Sequence, residues 1–311
     1  PGVQKALAII AATDNLSDDQ TEYQINDRMS FMRFLGINLC EKVPDAKTIW
    51  KFKNDLAETE TVDKLFCMFD EHLENKGLIS HKGTIVDATF VDALTEKQQG
   101  REQKNQKRCD SRVMGKAENK SKLAQKDIDA DWTKKNGERH FGYKDHVKCD
   151  ADSKLITNYS VTSASVHDSQ RCLVFIGQED EVLYADSAYS GKPIALALPE
   201  NCKNQICEKG YRNSPLTSEQ KMNNRRKSRI RCRIEQIFGF MTGAMHGITI
   251  RSIGITRAWM NIGITNLVYN FCRYSYLKGA SADRDNCALF QLKGNDQGKV
   301  FISKHYLQVN I

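Results

Sequence analysis

Thr84-Ile85-Val86-Asp87-Ala88-Thr89-Phe90-Val91 is a β-branched and aromatic run with a carboxylate set in its middle, so it reads as a strand that carries a charge. An acid flanked by Ile85, Val86, Ala88 and Phe90 is costly to bury without partners, and its place in a strand needs a reason. Asp92, five residues further on, is a weaker candidate for the same role because its side chain has the opposite parity to that of Asp87.

Upstream of this strand, residues 1–80 read as helical. Asn15-Leu16-Ser17-Asp18-Asp19-Gln20 and Pro44-Asp45-Ala46-Lys47-Thr48 are helix starts. Leu56, Val62, Leu65, Phe66, Phe69 and Leu73 recur at spacings of three and four across 45–58 and 60–76, as packed helices require. The chain opens Pro-Gly-Val with an apolar helical pattern already under way at Val3. That suggests an N-terminus cut from a longer parent.

Downstream, residues 96–135 are basic and Gln/Lys-rich without a core pattern, and read as an extended or partly disordered insertion. His140-Phe141-Gly142-Tyr143-Lys144-Asp145-His146-Val147-Lys148-Cys149-Asp150 and the run 154–162 read as two strands joined by a short turn, a hairpin. Residues 168–177 can form a helix, and Glu181-Val182-Leu183-Tyr184-Ala185-Asp186 is a further strand ending on a carboxylate. A long helix over 217–246 carries Ile230, Ile234, Ile237, Phe238, Met241 and Met245 on one stripe, and a second covers roughly 256–277. The chain is therefore α/β. It comprises a helical region (1–80), a mixed strand-and-helix unit (81–277) with a basic insertion at about 96–135, and a tail (278–311) with no assignable pattern. No internal repeat is present.

With 311 residues and 40% hydrophobic content, the chain can fill a sizeable core. Its apolar stretches fall short of the ~20 residues of a membrane span, which predicts a soluble, cytoplasmic protein. Ten cysteines without a CxxC pair predict reduced thiols rather than a zinc ribbon or disulfide framework, and Cys202 and Cys207 are wrongly spaced for a zinc knuckle. The net charge of +7 is unevenly spread. Ten Lys/Arg against three acids occupy 97–126, and seven basic residues with no acid occupy 221–233. Such blocks suit a polyanion, although a solvated loop would also explain the first.

Three carboxylates stand out: Asp87 in a strand, Asp186 at the end of another, and Glu235 on a helix behind a basic run. Mg²⁺ or Mn²⁺ prefers oxygen ligands, and two such ions ~3.5–4 Å apart serve phosphodiester chemistry. Two aspartates on adjacent strands and a glutamate from a helix packed on the sheet could hold them. Glu235 follows Ile234 and precedes Ile237 and Phe238, at the rim of the sheet-facing stripe. Two of them also have a plainer reading: a turn cap for Asp186, and an ion pair with Arg231 at i−4 for Glu235.

The chain resembles the DDE transposases of bacterial insertion sequences, specifically the insertion sequence 5 group. The resemblance extends to about residue 275. It is carried by Tyr23-Gln24-Ile25-Asn26-Asp27-Arg28-Met29-Ser30-Phe31 with Arg33-Phe34-Leu35-Gly36, by Gly83-Thr84-Ile85-Val86-Asp87-Ala88-Thr89, and by Asp131-Trp132-Thr133-Lys134-Lys135 with His140-Phe141-Gly142-Tyr143-Lys144. It continues in Ser165-Val166-His167-Asp168-Ser169 and Tyr184-Ala185-Asp186-Ser187-Ala188-Tyr189. The family's late signature is Y-2-R-3-E-6-K; Arg231 and Glu235 fit it, while Ser228 stands for the Tyr and Thr242 for the Lys.

The resemblance implies an RNase H-like core, a mixed sheet flanked by helices, behind an α-helical N-terminal domain. It implies Asp87, Asp186 and Glu235 as catalytic residues and ligands of Mg²⁺ or Mn²⁺, two ions in all, with His146 or His167 near the site. Arg225, Arg226, Lys227, Arg229, Arg231 and Arg233 would contact phosphates. The partners implied are double-stranded DNA (the element's terminal inverted repeats and its target) and further copies of the chain, a homodimer or higher oligomer, on the nucleoid. An RNase H-like nuclease without strand transfer and an inactive DNA-binding derivative are the alternatives.

Overall fold

Strand β1 (Thr84–Ala93) is the centre of a mixed seven-stranded sheet in a computed structural model that describes residues 11–93, 126–135, 137–211 and 213–287. On one side β1 pairs antiparallel with β3 (Glu138–Asp150), which pairs antiparallel in turn with β4 (Ile156–Ser163). On the other side it pairs parallel with β5 (Val182–Ala185), and β5 with β6 (Lys203–Asn204). Three antiparallel strands followed by two parallel ones across the first is the arrangement of an RNase H-like core. The short β7 (Thr249–Ile250) extends the β5 side, pairing with Asp92 and Ala93.

The expected β3–β4 hairpin is present. The insertion read over 96–135 needs correction at its end, because β2 (Asp131–Lys135) pairs with β3 from Asp131↔Gly142 to Lys135↔Glu138. Only Asn136 and Gly137 separate the two strands, and Asn-Gly is a strong hairpin signal. The core of that basic insertion, like the tail beyond 287, lies outside the described residues.

Gly142 is where β1, β2 and β3 meet. It pairs with Asp92 on one side and Asp131 on the other, at φ +147, where a Cβ would stand 2.3 Å from the Val91 carbonyl oxygen.

Helix α1 (Asp18–Asp27) starts at a capping box made by Ser17 and Gln20. It is followed by α2 (Met29–Leu35), by α3 (Ala46–Glu58), whose first turn is capped by Asp45 accepting from the Thr48 N–H, and by α4 (Thr61–Asn75). Ile25, Met32, Leu35, Val43 and Ile49 form a small core of their own. Of the later helices, α5 (Ser169–Phe175) and α6 (Lys192–Ala197) are short, while α7 (Ser218–Gly243) and α8 (Ile255–Cys287) are long. No helix among the described residues is long and apolar enough to cross a membrane.

Parity along β1 sorts the layers. Ile85 and Val91 face the large core with Val147, Cys149, Ile234, Ile237 and Met241, and α7 and α8 cover this face. Val86, Leu183 and Ala185 face a second core with Cys172, Phe175 and Ile194 from α5 and α6. The N-terminal helices dock on α8, where Asp63 of α4 accepts from the Tyr159 hydroxyl and, at 3.0 Å, from Trp259 Nε1.

Beneath α8, Asp145 is fully buried, and burial raises its carboxyl from the ordinary 3.8 to about 7. Asn266 Nδ2 donates to its Oδ1 at 3.2 Å, while Asp145 Oδ2 and Asn266 Oδ1 are both buried without partners. A protonated Asp145 has the donor that Asn266 Oδ1 lacks. The folded state therefore holds this proton between pH 4 and 7 while the unfolded chain releases it. Stability from this group falls as pH rises through that window, and the loss is complete above about 7. Asp145→Asn is expected to raise the unfolding free energy by about 2 kcal/mol at pH 8 and by little at pH 4. Urea denaturation at the two values checks this.

Candidate active site

The register of β1 on β5 brings two of the three acids together. Val86 pairs with Ala185, so Asp87 and Asp186 are the next residues along two parallel neighbours and project to the face covered by α7. Asp87 Oδ1 accepts from the Ala88 N–H at 2.8 Å, and burial raises its pKa. Asp186 lies one residue beyond the strand end, where it caps a 3₁₀ turn (Ser187–Tyr189) by accepting from the Ser187 N–H at 2.6 Å. It is thus at once a cap and a candidate ligand.

Glu235 comes from α7, whose packing is set by Ile234, Ile237 and Met241. Its carboxylate is 56% exposed at the rim of that stripe. Arg231, one turn earlier, links the acids: Nη1 donates to Asp87 Oδ2 at 2.9 Å and Nη2 to Glu235 Oε1 at 2.8 Å. Burial works against the guanidinium's charge, but Asp87, Glu235 and Asp186 together outweigh it and hold its pKa above the usual value. Its Nε–H is buried with no acceptor among the described residues. Arg231 therefore bridges Asp87 and Glu235, and hard carboxylate oxygens are the donors that Mg²⁺ or Mn²⁺ takes.

Besides Arg231, the five basic residues of α7 expected to contact phosphates divide into two sets. Arg225, Arg226 and Arg229 are exposed, within two turns before Arg231. Lys227 instead donates to the Ile206 carbonyl at 2.9 Å, and Arg233 to the Ala151 carbonyl and, at 3.1 Å, to Asp152. Where the resemblance leads one to look for a Tyr, Ser228 lies 3.9 Å from the Cys207 sulfur. Where it calls for a Lys, Thr242 donates back to the Phe238 carbonyl at 2.9 Å. Cys202 and Cys207 are buried free thiols.

Neither histidine joins the acids. His146 pairs with Ala88, on the opposite face of the sheet from Asp87. It is fully buried against the Thr162 hydroxyl at 2.8 Å, and burial lowers its pKa to about 4. His167 is exposed, and its ring nitrogen Nδ1 bonds to Ser169. Asp92, the weaker candidate for the first acid, lies on the His146 side of β1, 3.5 Å from His140.

A second group was not anticipated. Glu74, His81 and Glu179 place their ligand atoms within 4.8 Å of one another. They lie at the end of α4, before β1 and before β5, so they sit by the opposite strand ends from Asp87 and Asp186. Among the described residues the three acids form no such closed group; the Arg231 guanidinium stands between Asp87 and Glu235.

The family described as "Transposase DDE domain" matches residues 79–271, and that described as "Transposase domain (DUF772)" matches residues 5–55. Among solved structures, the cryo-EM structure of a piggyBac transposase synaptic complex with hairpin DNA aligns with 89% of the chain at 11% identity and a TM-score of 0.44. The chain spans 66% of that protein's length.

Proposed function

Because the chain belongs to the transposase DDE domain family, we propose that it is the transposase of an insertion sequence of the insertion sequence 5 group, acting in the cytoplasm on the nucleoid. In this reading it binds the terminal inverted repeats of its element as a homodimer or higher oligomer. Water attacks a phosphodiester at the element's end and releases a 3′-hydroxyl. That hydroxyl then attacks a phosphodiester of the target, joining the element and displacing the target's own 3′-oxygen. The supporting observation is the placing of Asp87 and Asp186 on one face of adjoining strands, with Glu235 joined to Asp87 through Arg231.

Asp87, Asp186 and Glu235 would hold two Mg²⁺ or Mn²⁺ ions, which supply Lewis acidity to the attacking and leaving oxygens. The chain's own share is positioning. The Ala88 and Ser187 N–H groups fix one oxygen of each aspartate, and Arg231 holds the second oxygen of Asp87. Glu235 sits on a helix anchored by Ile234 and Ile237, each fully buried, so its backbone cannot drift from the sheet. Arg225, Arg226 and Arg229 would neutralise phosphates along the approach to Glu235, an interaction that sets register without reading sequence.

A labelled duplex carrying the element's own end, incubated with Mn²⁺ and a target duplex, tests this. The parent is expected to yield nicked and joined products, and Glu235→Ala to lower both by at least a hundredfold. Nicks without joined ends would identify a nuclease instead. DNA binding with no metal-dependent cut in the parent would identify an inactive derivative.

A further inference from the structure

We propose that Arg231 is the internal counter-cation of the three-acid site. It holds the acids while the protein is free and is drawn off by a phosphate of the bound DNA end, so that DNA binding and metal binding favour each other. The inference rests on the assignment of Asp87, Asp186 and Glu235 made above.

Three observations carry it. Asp87 Oδ2 and Glu235 Oε1, 144 and four residues away in sequence, are both taken by the same guanidinium, at 2.9 and 2.8 Å. Charge-assisted bonds of this kind are the strong class, and a divalent cation approaching the same oxygens must displace them. Glu235 is 56% exposed while Arg231 is only 20% exposed, so a carboxylate open to solvent is satisfied by a cation held inward. Finally, the buried Nε–H has no acceptor. The observed arrangement leaves one donor unused, and a guanidinium meeting a phosphate uses its donors in pairs.

The consequence is a linkage. Phosphate oxygens that take Arg231 remove the cation competing for the acids, and the factor by which DNA tightens metal binding must equal the factor by which metal tightens DNA binding. Lys227 and Arg233 do not share this role, since their side chains are tied to Ile206 and to the β3–β4 turn.

The test is a Mn²⁺ titration of the full chain, followed by the electron paramagnetic resonance of free Mn²⁺, with and without a duplex of the element's end. An E179Q background removes the Glu74–His81–Glu179 group as a source of signal. The parent is expected to bind Mn²⁺ about tenfold more tightly with DNA than without. Arg231→Gln is expected to bind it about tenfold more tightly than the parent in the absence of DNA, with less than a twofold further gain from DNA. Arg231→Lys keeps a cation that cannot fork between two carboxylates, and should fall between. Mn²⁺ affinity unchanged or weaker in both variants, each confirmed folded by its thermal melt, overturns the proposal. Asp87→Asn separates the two levels: if it leaves Mn²⁺ binding untouched, the three-acid assignment itself is wrong. If it abolishes binding while the Arg231 variants do nothing, only the counter-cation role is.

Discussion

Replacing Asp87 by asparagine is expected to leave a folded protein whose DNA cleavage and joining fall by at least a thousandfold. The substitution is nearly isosteric. Asparagine keeps the oxygen that accepts the Ala88 N–H at 2.8 Å and loses only the charged oxygen now facing Arg231. A thousandfold is about 4 kcal/mol of transition-state stabilisation, which is within what one ligand of a charge-stabilising centre supplies. Stability moves much less, because two effects oppose. Burial already raises the Asp87 pKa, so neutralising the side chain removes a desolvation cost while forfeiting the ion pair; the net change should stay within roughly 1 kcal/mol. Cleavage kinetics and urea denaturation of the same preparation decide it. Activity within tenfold of the parent would remove Asp87 from the chemistry, and a collapsed transition would show that its role is structural.

Gly142→Ala is expected to be the most damaging single methyl group in the sheet. At φ +147 an L side chain is strained whatever surrounds it, and here the added carbon would also stand 2.3 Å from the Val91 oxygen and 2.7 Å from the Ala93 nitrogen. Both are backbone atoms of the strand that carries Asp87, so rotamer change relieves nothing. Relief requires β1 and β3 to separate at the Asp92↔Gly142 pair, where β2 is also joined through Asp131. The expected loss is about 4 kcal/mol or more, enough to leave a marginal domain largely unfolded at 37 °C. A melting temperature within a few degrees of the parent would contradict it. A Gly239→Ala control on α7, where nothing lies within 4 Å of the added carbon, should cost nothing.

Much of this architecture was legible in the sequence because the decisive strands are buried. Thr84–Ala93, Glu138–Asp150 and Val182–Ala185 read as strands because β-branched and aromatic residues crowd them. The stripe on α7 was plain because three turns of it are buried by one sheet. What escaped notice lacked such a signal. Strand Asp131–Lys135 is exposed or half-buried along its whole length, so no alternation marks it, and the reading of 96–135 as an insertion passed over the Asn136-Gly137 turn signal. The two-residue strands β6 and β7 are too short to show a period. Helix α8 runs on to Cys287, past the predicted end at 277, because its last turns form without the apolar stripe that had set the expectation.

The candidate site divides in the same way. Side-chain type and position singled out Asp87, Asp186 and Glu235, but whether a neighbour shares their face depends on register, which the sequence does not print. One residue of pairing separates His146, opposite Ala88, from Val147, opposite Asp87. The i−4 pairing of Arg231 with Glu235 could be read from spacing, whereas its bond to Asp87 spans 144 positions and could not. The basic run likewise looked uniform until burial divided it into exposed and tethered halves.

The three acids enter the ribosome's exit tunnel far apart in time. Strand β1 emerges before the other strands and must wait for β3 and then β5 before both its edges are paired, and Glu235 of α7 arrives 148 residues after Asp87. A chain interrupted anywhere before residue 235 therefore holds at most two of the three carboxylates. The transposase proposed above would thus stay without its third acid until most of it has been made.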